Sequence, residues 1–311
     1  MGAGVSRGQS RGRRRSNTPR PSKTCETVDQ RLVRTHKLVL LLDFDDTLVS
    51  ASALAPATGV DDVVVHMATL NRTVVPRPHL VDFLWTMSNM YEVYICSLGE
   101  REYVQAALRL LVPDADGAVS GIYGREDFPT LVKRLPEGIG SPWMAVIVDD
   151  RRDVWIRELR PNQITIRPFH MFGVLGDRLA APDVDDHLLY AAEKLHKIHG
   201  AFFSGGLHSV TSAMLASQRM SLHGVSLHFY GVETRKELRS LISGAMALGA
   251  KCTKEFDPKT TTYVVFDSIP SERDLLSMQH PGVALVSMAW LLTAVRTWSN
   301  PPADAYKIRT P

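Results

Sequence analysis

Residues Leu38-Val39-Leu40-Leu41-Leu42 form an unbroken apolar run that stops on Asp43, and Asp45, Asp46 and Thr47 follow directly. A run of this length without polar alternation describes a strand buried on both faces, the kind found in parallel sheets covered by helices. Ligands of open α/β sheets bind outside the carboxyl ends of the strands, which is where these acids stand. Asp43 and Asp45 are two residues apart and face one side if the extended backbone continues. Two carboxylates so placed repel unless a cation or a shared proton compensates. Alone, Asp45 or Thr47 would read more simply as a helix cap or turn residue. The whole run predicts a reactive site.

Two further segments repeat this form. Residues 91–96, Tyr-Glu-Val-Tyr-Ile-Cys, read as a strand ending on Ser97. A short turn and a helix over 102–111 follow, so the hydroxyl and the helix N–H groups can both donate to an anion. Residues 143–148 are again apolar and run into Asp149-Asp150, hard oxygen ligands that suit Mg²⁺. In a parallel sheet these acid-bearing strand ends converge. Arg77-Pro78-His79 precedes Leu80, Phe83, Leu84 and Met87 at helical spacing. Lys133, in Leu131-Val132-Lys133-Arg134-Leu135, is read either as a solvated helix face or as a cation of the site.

The spacing Asp43-x-Asp45-x-Thr47 after an apolar strand resembles the haloacid-dehalogenase-type phosphotransferases. Arg77-Pro78, the run Tyr94 to Tyr103, Tyr123-Gly124-Arg125-Glu126-Asp127 and Asp149-Asp150-Arg151-Arg152-Asp153-Val154-Trp155 narrow the resemblance. Over about residues 33–200 the chain is similar to the Fcp/Scp family, protein serine phosphatases of the RNA polymerase II carboxy-terminal domain. The resemblance implies that Asp43 is the nucleophile and Asp45 the general acid and base. It implies Ser97, Lys133 and Thr47 as phosphate ligands, and Mg²⁺ bound by Asp43, the Asp45 backbone carbonyl and Asp149. Arg77, Glu126 and Asp150 would support the pocket or substrate.

Two positions depart from the family pattern. Gly124-Arg125-Glu126 stands where Ser-Arg-Asp is usual, so a pocket carboxylate is one methylene longer. The segment holding Lys133 is short by about a residue, which leaves Thr130 and Arg134 competing for its position. Between Thr47 and Arg77 only an Ala-rich loop and the strand-like Val63-Val64-Val65 occur, too little for a large cap. An open site suits a phosphorylated peptide better than a small metabolite that must be enclosed.

Past this region, residues 183–203 read as an amphipathic helix with Leu188, Leu189, Ala192, Leu195 and Ile198 spaced to pack. Ser204-Gly205-Gly206 marks a break. Strand patterns at 225–230, 261–266 and 284–287 alternate with helices at 237–248 and 288–297, pointing to a small parallel sheet. Gly231, Leu248-Gly249-Ala250, Thr262-Tyr263-Val264-Val265 and Ser287-Met288-Ala289-Trp290-Leu291 resemble a BRCT domain, with Trp290 as a core residue. Many BRCT domains bind phosphopeptides through a Ser or Thr before the first glycine and a later Lys. This chain has Tyr230 and, at best, Arg273. Docking of a protein, such as a transcription factor, is therefore the expectation for this unit.

The expected architecture is α/β throughout. A disordered basic arm (1–30) precedes a haloacid-dehalogenase-like Rossmannoid parallel sheet without a large cap (31–203), a linker (204–219) and a small α/β BRCT domain (220–308). With 44% apolar residues, the 311-residue chain can bury two cores. Its three cysteines, Cys25, Cys96 and Cys252, are too dispersed for a disulfide framework. The net charge of +3 hides an asymmetry, because residues 1–23 hold seven cations and no acid, leaving −4 on the remainder. The globular part is therefore not expected to bind nucleic acid stably. For the arm three readings stay open: an import or nucleic-acid signal in Arg11-Gly12-Arg13-Arg14-Arg15, a Gly2 myristoylation pattern backed by that basic cluster, or a plain tail.

The resemblance as a whole implies a nuclear, Mg²⁺-dependent protein serine phosphatase acting on the phosphorylated tail of RNA polymerase II. Membrane or cytoplasmic placement is expected only with a lipidated Gly2. A phosphoprotein-binding scaffold of weak activity and a nucleic-acid 3′-phosphatase are the competing readings.

Overall fold

The computed structural model describes residues 1–2, 26–55, 63–65, 71–112, 114–173, 185–231, 236–268 and 270–308. The expectations for the arm fall on residues 3–25 and lie outside the described residues. Helix α1 (Val28–Arg34) starts on a capping box in which Thr27 accepts from Gln30 N and the Gln30 side chain accepts from Thr27 N. It leads into β1 (Leu38–Leu42), whose five side chains are all fully buried, as a central strand requires.

A three-stranded antiparallel sheet follows: β2 (Val49–Ser52), β3 (Val63–Val65) and β4 (Arg72–Pro76), in the order β2-β4-β3. Only β3 was foreseeable, because β2 and β4 are short and carry Ser, Thr and Arg among their apolar residues. This sheet takes the place where a cap domain would be inserted. Helix α2 (Leu80–Ser88) then buries Leu80, Phe83, Leu84 and Met87, the four expected positions.

The main sheet is completed by β5 (Tyr91–Cys96), β6 (Gly121–Tyr123), β7 (Ala145–Asp149) and β8 (Gln163–Thr165). Helices α3 (Arg101–Leu111) and α4 (Ala115–Ala118) join β5 to β6. All pairings are parallel, in the order β6-β5-β1-β7-β8. From β1 the chain winds outward first to β5 and β6, then returns to β7 and β8. The direction of winding reverses beside β1, which opens a crevice at its carboxyl end. Strand β8 had no clear sequence signal, since Gln163-Ile164-Thr165 comes just after a proline and holds one apolar residue.

Helix α5 (His187–Ser204) closes the domain, burying Leu188, Leu195 and Ile198. Most of the expected linker 204–219 is helix α6 (Val210–Ser221), capped by Ser209 and packed along α5. Its Val210, Ala213 and Met214 are buried, so apolar burial there overrides the break seen at Gly205-Gly206.

The second unit contains β9 (Ser226–Tyr230), α7 (Lys236–Ala247), β10 (Lys251–Thr253), β11 (Tyr263–Phe266), α8 (Glu272–Met278), β12 (Ala284–Ser287) and α9 (Met288–Thr297). Its four strands are all parallel, in the order β10-β9-β11-β12. Trp290 is fully buried, stacked on Tyr263 at 4.3 Å, and donates from Nε1 to Pro301 O at 2.9 Å. Gly249 ends α7 with φ +95°, and a Cβ there would lie 2.1 Å from the Arg219 carbonyl oxygen.

The two units share one continuous core. Lys197 on α5 donates to the Thr297 and Trp298 carbonyls at 2.8 and 2.5 Å, and Ser221 Oγ donates to Trp298 O at 2.6 Å. Among the described residues, no helix is long and apolar enough to cross a membrane.

Candidate active site

The crevice beside β1 gathers the acids of two strand ends. Asp43 continues the ladder of β1, its N–H donating to Val148 O at 3.0 Å, and is 7% exposed. Its carboxylate is gripped from both sides: Lys133 Nζ lies 2.5 Å from Oδ1 and Thr47 Oγ1 3.0 Å from Oδ2. Thr47 is placed by the tight turn after β1. There Leu48 N bonds Phe44 O, and Asp46 takes up φ +59°, a left-handed conformation that Asp tolerates better than most residues.

Asp45 sits across the crevice. Tyr103 OH donates to its Oδ1 at 2.9 Å, and Ser97 Oγ lies 3.5 Å from Oδ2. Burial, reinforced by the Asp43 charge, pushes its carboxyl up to about 6. A carboxyl poised there can hold or release a proton near neutrality, as a general acid and base requires. Ser97, at the end of β5, accepts from Gly99 N at 2.9 Å, so the turn into α3 wraps around the hydroxyl.

Lys133 is 2% exposed and bridges Asp43 to Asp149, whose Oδ2 is 2.7 Å from Nζ. Burial alone would depress the amine, but Asp43 and Asp149 outweigh it and raise its pKa. Thr130 and Arg134 are both exposed, so the structure brings Lys133 to the acids and leaves its two rivals outside. Bonds between Lys133 and the segment Val154–Ile156 pin the backbone, and Leu131 just upstream is held at φ +55°. A branched residue is strained there, which marks a segment held by its surroundings.

Asp149 ends β7 with both carboxylate oxygens engaged. Oδ2 accepts from Lys133 and from Trp155 Nε1 at 2.7 Å, and Oδ1 accepts from Arg151 N at 2.8 Å. Asp150 is half-buried, its Oδ1 3.5 Å from Thr47 Oγ1. Asp43, Asp149 and Asp150 can each bring a carboxylate oxygen within 4.8 Å of the others. Such a hard, anionic set fits Mg²⁺, and the freest carboxylate in it belongs to Asp150, which was expected only in support.

The other two supporting residues take different positions. Arg77, 1% exposed, lies behind the pocket. It donates to Thr47 O at 2.9 Å and Arg167 O at 2.8 Å and forms a two-pronged pair with Asp185 at 3.0 and 3.1 Å. Glu126 is exposed and faces the first N–H of α3, 3.3 Å from Arg101 N, not the pocket. Gly124 explains this shift. A Cβ at 124 would lie 2.5 Å from Glu126 Oε2, so the longer acid uses space that a serine would fill.

The pocket has a volume of about 240 Å³. Arg72, Arg125 and Arg151 line it and were missed from the sequence, as was the Tyr103 hydroxyl. Arg72 carries no motif, and Arg125 and Arg151 were visible only as members of the runs that carry the resemblance. Tyr103 was visible only as one member of the run after Ser97.

Residues 38–201 match the model of the NLI interacting factor-like phosphatase family, and residues 218–295 match the BRCA1 C Terminus (BRCT) domain. Over 160 residues the chain is 31% identical to an RNA polymerase II C-terminal domain phosphatase of Caenorhabditis elegans, covering 48% of this chain and 24% of that protein. Similarity to RNA polymerase II C-terminal domain phosphatase-like 4 of Arabidopsis thaliana is 23% over 331 residues, covering 94% and 74%. The chain thus spans only about a quarter of the nematode protein, and 16% of the human one. The fold is shared with Fcp1, described as an essential RNA polymerase II CTD phosphatase, at a TM-score of 0.54 and 20% identity over 89% of this chain and 97% of that one.

Proposed function

The chain belongs to the NLI interacting factor-like phosphatase family, and we propose that it is a Mg²⁺-dependent protein serine phosphatase acting through a phosphorylated Asp43. The observation that carries this reading is the Asp43 carboxylate, held between Lys133 and Thr47 and facing Asp45 across the pocket. An Asp43 oxygen attacks the phosphorus of a phosphoserine, and the bond from phosphorus to the serine oxygen breaks. Asp45 gives its proton to that leaving oxygen. A water then attacks the phosphorylated Asp43, Asp45 takes the proton, and inorganic phosphate departs with the carboxylate restored. Ser97 Oγ and Lys133 Nζ donate to the phosphoryl oxygens. Arg77 acts from behind by fixing the Thr47 backbone, and Glu126 by steadying the start of α3.

Mg²⁺ would be held by Asp43, the Asp45 carbonyl and the acids closing β7, with Asp150 offering the freer carboxylate and Asp149 the one that orients Lys133. When bound it supplies charge neutralisation for the phosphoryl group.

The names of the relatives support the phosphorylated tail of RNA polymerase II as substrate, and hence nuclear action. Among the described residues only the small sheet β2-β4-β3 stands between β1 and α2, which supports an extended peptide substrate. In the BRCT unit Tyr230 precedes Gly231, which supports docking of a transcription factor over phosphoserine capture. The test is phosphate release from phosphoserine peptides. Wild type is expected to turn over in Mg²⁺ and stop in EDTA, and Asp43→Asn to be inactive, because an amide cannot serve as this nucleophile. Turnover by Asp43→Asn would overturn the covalent route.

A further inference from the structure

A second cavity, of about 210 Å³, opens where the phosphatase unit meets the BRCT unit. Its walls come from three elements: Ile164 to Arg167 at the end of β8, the first two turns of α5, and Val295-Arg296 of α9. Four basic side chains line it, Arg167, His187, Lys194 and Arg296, and among the described residues no acid does. The acids at the start of α5 are committed elsewhere, Asp185 to Arg77 and Asp186 to His79. Among the described residues, Arg167, Lys194 and Arg296 have no carboxylate within ion-pair distance.

Burial, and after it the neighbouring Lys197, depresses the Lys194 amine to about 8 against the opposing charge of Glu193. Burial also lowers His187, where the Arg77, Arg296 and Arg167 charges add to it against Asp185. Lys194 and His187 are half-buried and Arg167 and Arg296 exposed, so an anion entering the cavity meets four basic side chains and, among the described residues, no lining carboxylate. Guanidinium forks with an ammonium group match a phosphoryl group in shape and charge.

We propose that this junction cavity is a second phosphate seat, which takes a neighbouring phosphoserine of the same peptide whose first phosphoserine lies on Asp43. The sheet register argues for a peptide. Thr165 stands opposite Asp149, and Ile166 N donates to Asp149 O at 3.2 Å, so both sites open at one edge of the sheet. From β1 to β8 is two strand spacings, about 10 Å, and an extended peptide advances about 3.3 Å per residue. Phosphates roughly three to five residues apart span the two sites. The link is rigid, because Arg77 bonds both Thr47 O beside the nucleophile and Arg167 O at the seat. The seat is separate from the Tyr230–Gly231 end of the BRCT unit, since only α9 of that unit reaches it.

This assignment rests on the phosphopeptide reading above, so its test has one arm without turnover. Phosphate release is measured for peptides carrying one phosphoserine, or two at separations of two to seven residues. For wild type the best-spaced doubly phosphorylated peptide should show a KM about tenfold lower than the singly phosphorylated one. The double variant Arg167→Gln, Arg296→Gln, exposed at both positions, should erase that difference and leave turnover of the singly phosphorylated peptide unchanged. Equal KM values at every spacing in wild type, or an advantage that survives in the double variant, would overturn the seat. In the second arm the same peptides are titrated by calorimetry into the Asp43→Asn protein, while the His187 ring resonances are followed. Tighter binding of the doubly phosphorylated peptide, with a raised His187 pKa, supports the seat even if wild type turns over nothing, and then the phosphatase reading alone fails. Inorganic phosphate shifting His187 with no peptide preference, or salt-sensitive binding of duplex DNA lost in the double variant, would assign the cavity to another anion and overturn the peptide.

Discussion

Lys133 shows how much one residue decides here. Its amine is the sole cation within bonding distance of both Asp43 and Asp149 among the described residues, and all three are buried. Removing one partner of a buried ionic cluster leaves charges without compensation, which typically costs 3–5 kcal/mol. Lys133→Met should therefore lower stability by about 3–5 kcal/mol in EDTA, and by less in Mg²⁺, which can replace the lost charge. Thermal melts with and without Mg²⁺ test this, and equal losses in both would show that the cation is not shared in this way. Lys133 was legible as a cation in the right segment, but not as the one chosen over Thr130 and Arg134. A one-residue uncertainty along an irregular segment is invisible to pattern, whereas the fold places Lys133 beside the acids. Asp149 and Asp150 follow the same logic: the pair could be read, but which carboxylate keeps a free oxygen depends on Trp155 and Arg151 folding back.

Elements with strong local signals formed where the chain predicts them. Strand β1, helix α2 and the helix starting after Ser97 match their patterns to within a residue or two, because hydrophobic period and length leave few alternatives. Strands β2, β4 and β8 lacked such signals, since short edge-like strands acquire their state from their neighbours. Helix α6 was hidden by the glycines before it. Gly249 illustrates a local signal with a tertiary reason: it caps α7, and its bare backbone also meets Arg219 O. Gly249→Ala should destabilise by about 1–3 kcal/mol through backbone strain alone, measured by urea unfolding, and a neutral effect would mean that residue 249 can leave its left-handed conformation.

Helix α1 is fastened to β5 by the Arg31–Glu92 pair, with Nη2 3.0 Å from Oε2. Burial would raise the Glu92 carboxyl, but the bond and charge of Arg31, with Tyr94 and Lys37, together outweigh it and set it below its ordinary 4.5. The pair therefore contributes fully above that pH and is lost as pH falls through the lower folded value. Because Arg31 is 41% exposed, the contribution is modest, about 0.5 kcal/mol. Glu92→Gln should cost that at pH 7 and progressively less as the pH is lowered below 4.5. A difference that does not shrink on acidification would assign the effect to packing.

At the scale of the whole molecule, α5 and α6 weld the two units into one body. Trp298, 8% exposed, takes φ +50° at the end of α9 and offers its carbonyl to Lys197 and Ser221. Calorimetry should show one unfolding transition for the full chain, and two separated transitions would show that the shared core does not couple them. The amino-acid sequence by itself determined the two fold classes, the central strand, and the acids and hydroxyls at the strand ends. Those follow from apolar periodicity and from carboxylates that local burial would not tolerate without a use. Only the tertiary structure decided which cation reaches Asp43, that Glu126 faces away from the pocket, and that four basic side chains meet between the domains. Each of these depends on distances between residues far apart in the chain, set by sheet order and helix packing, which no local pattern records.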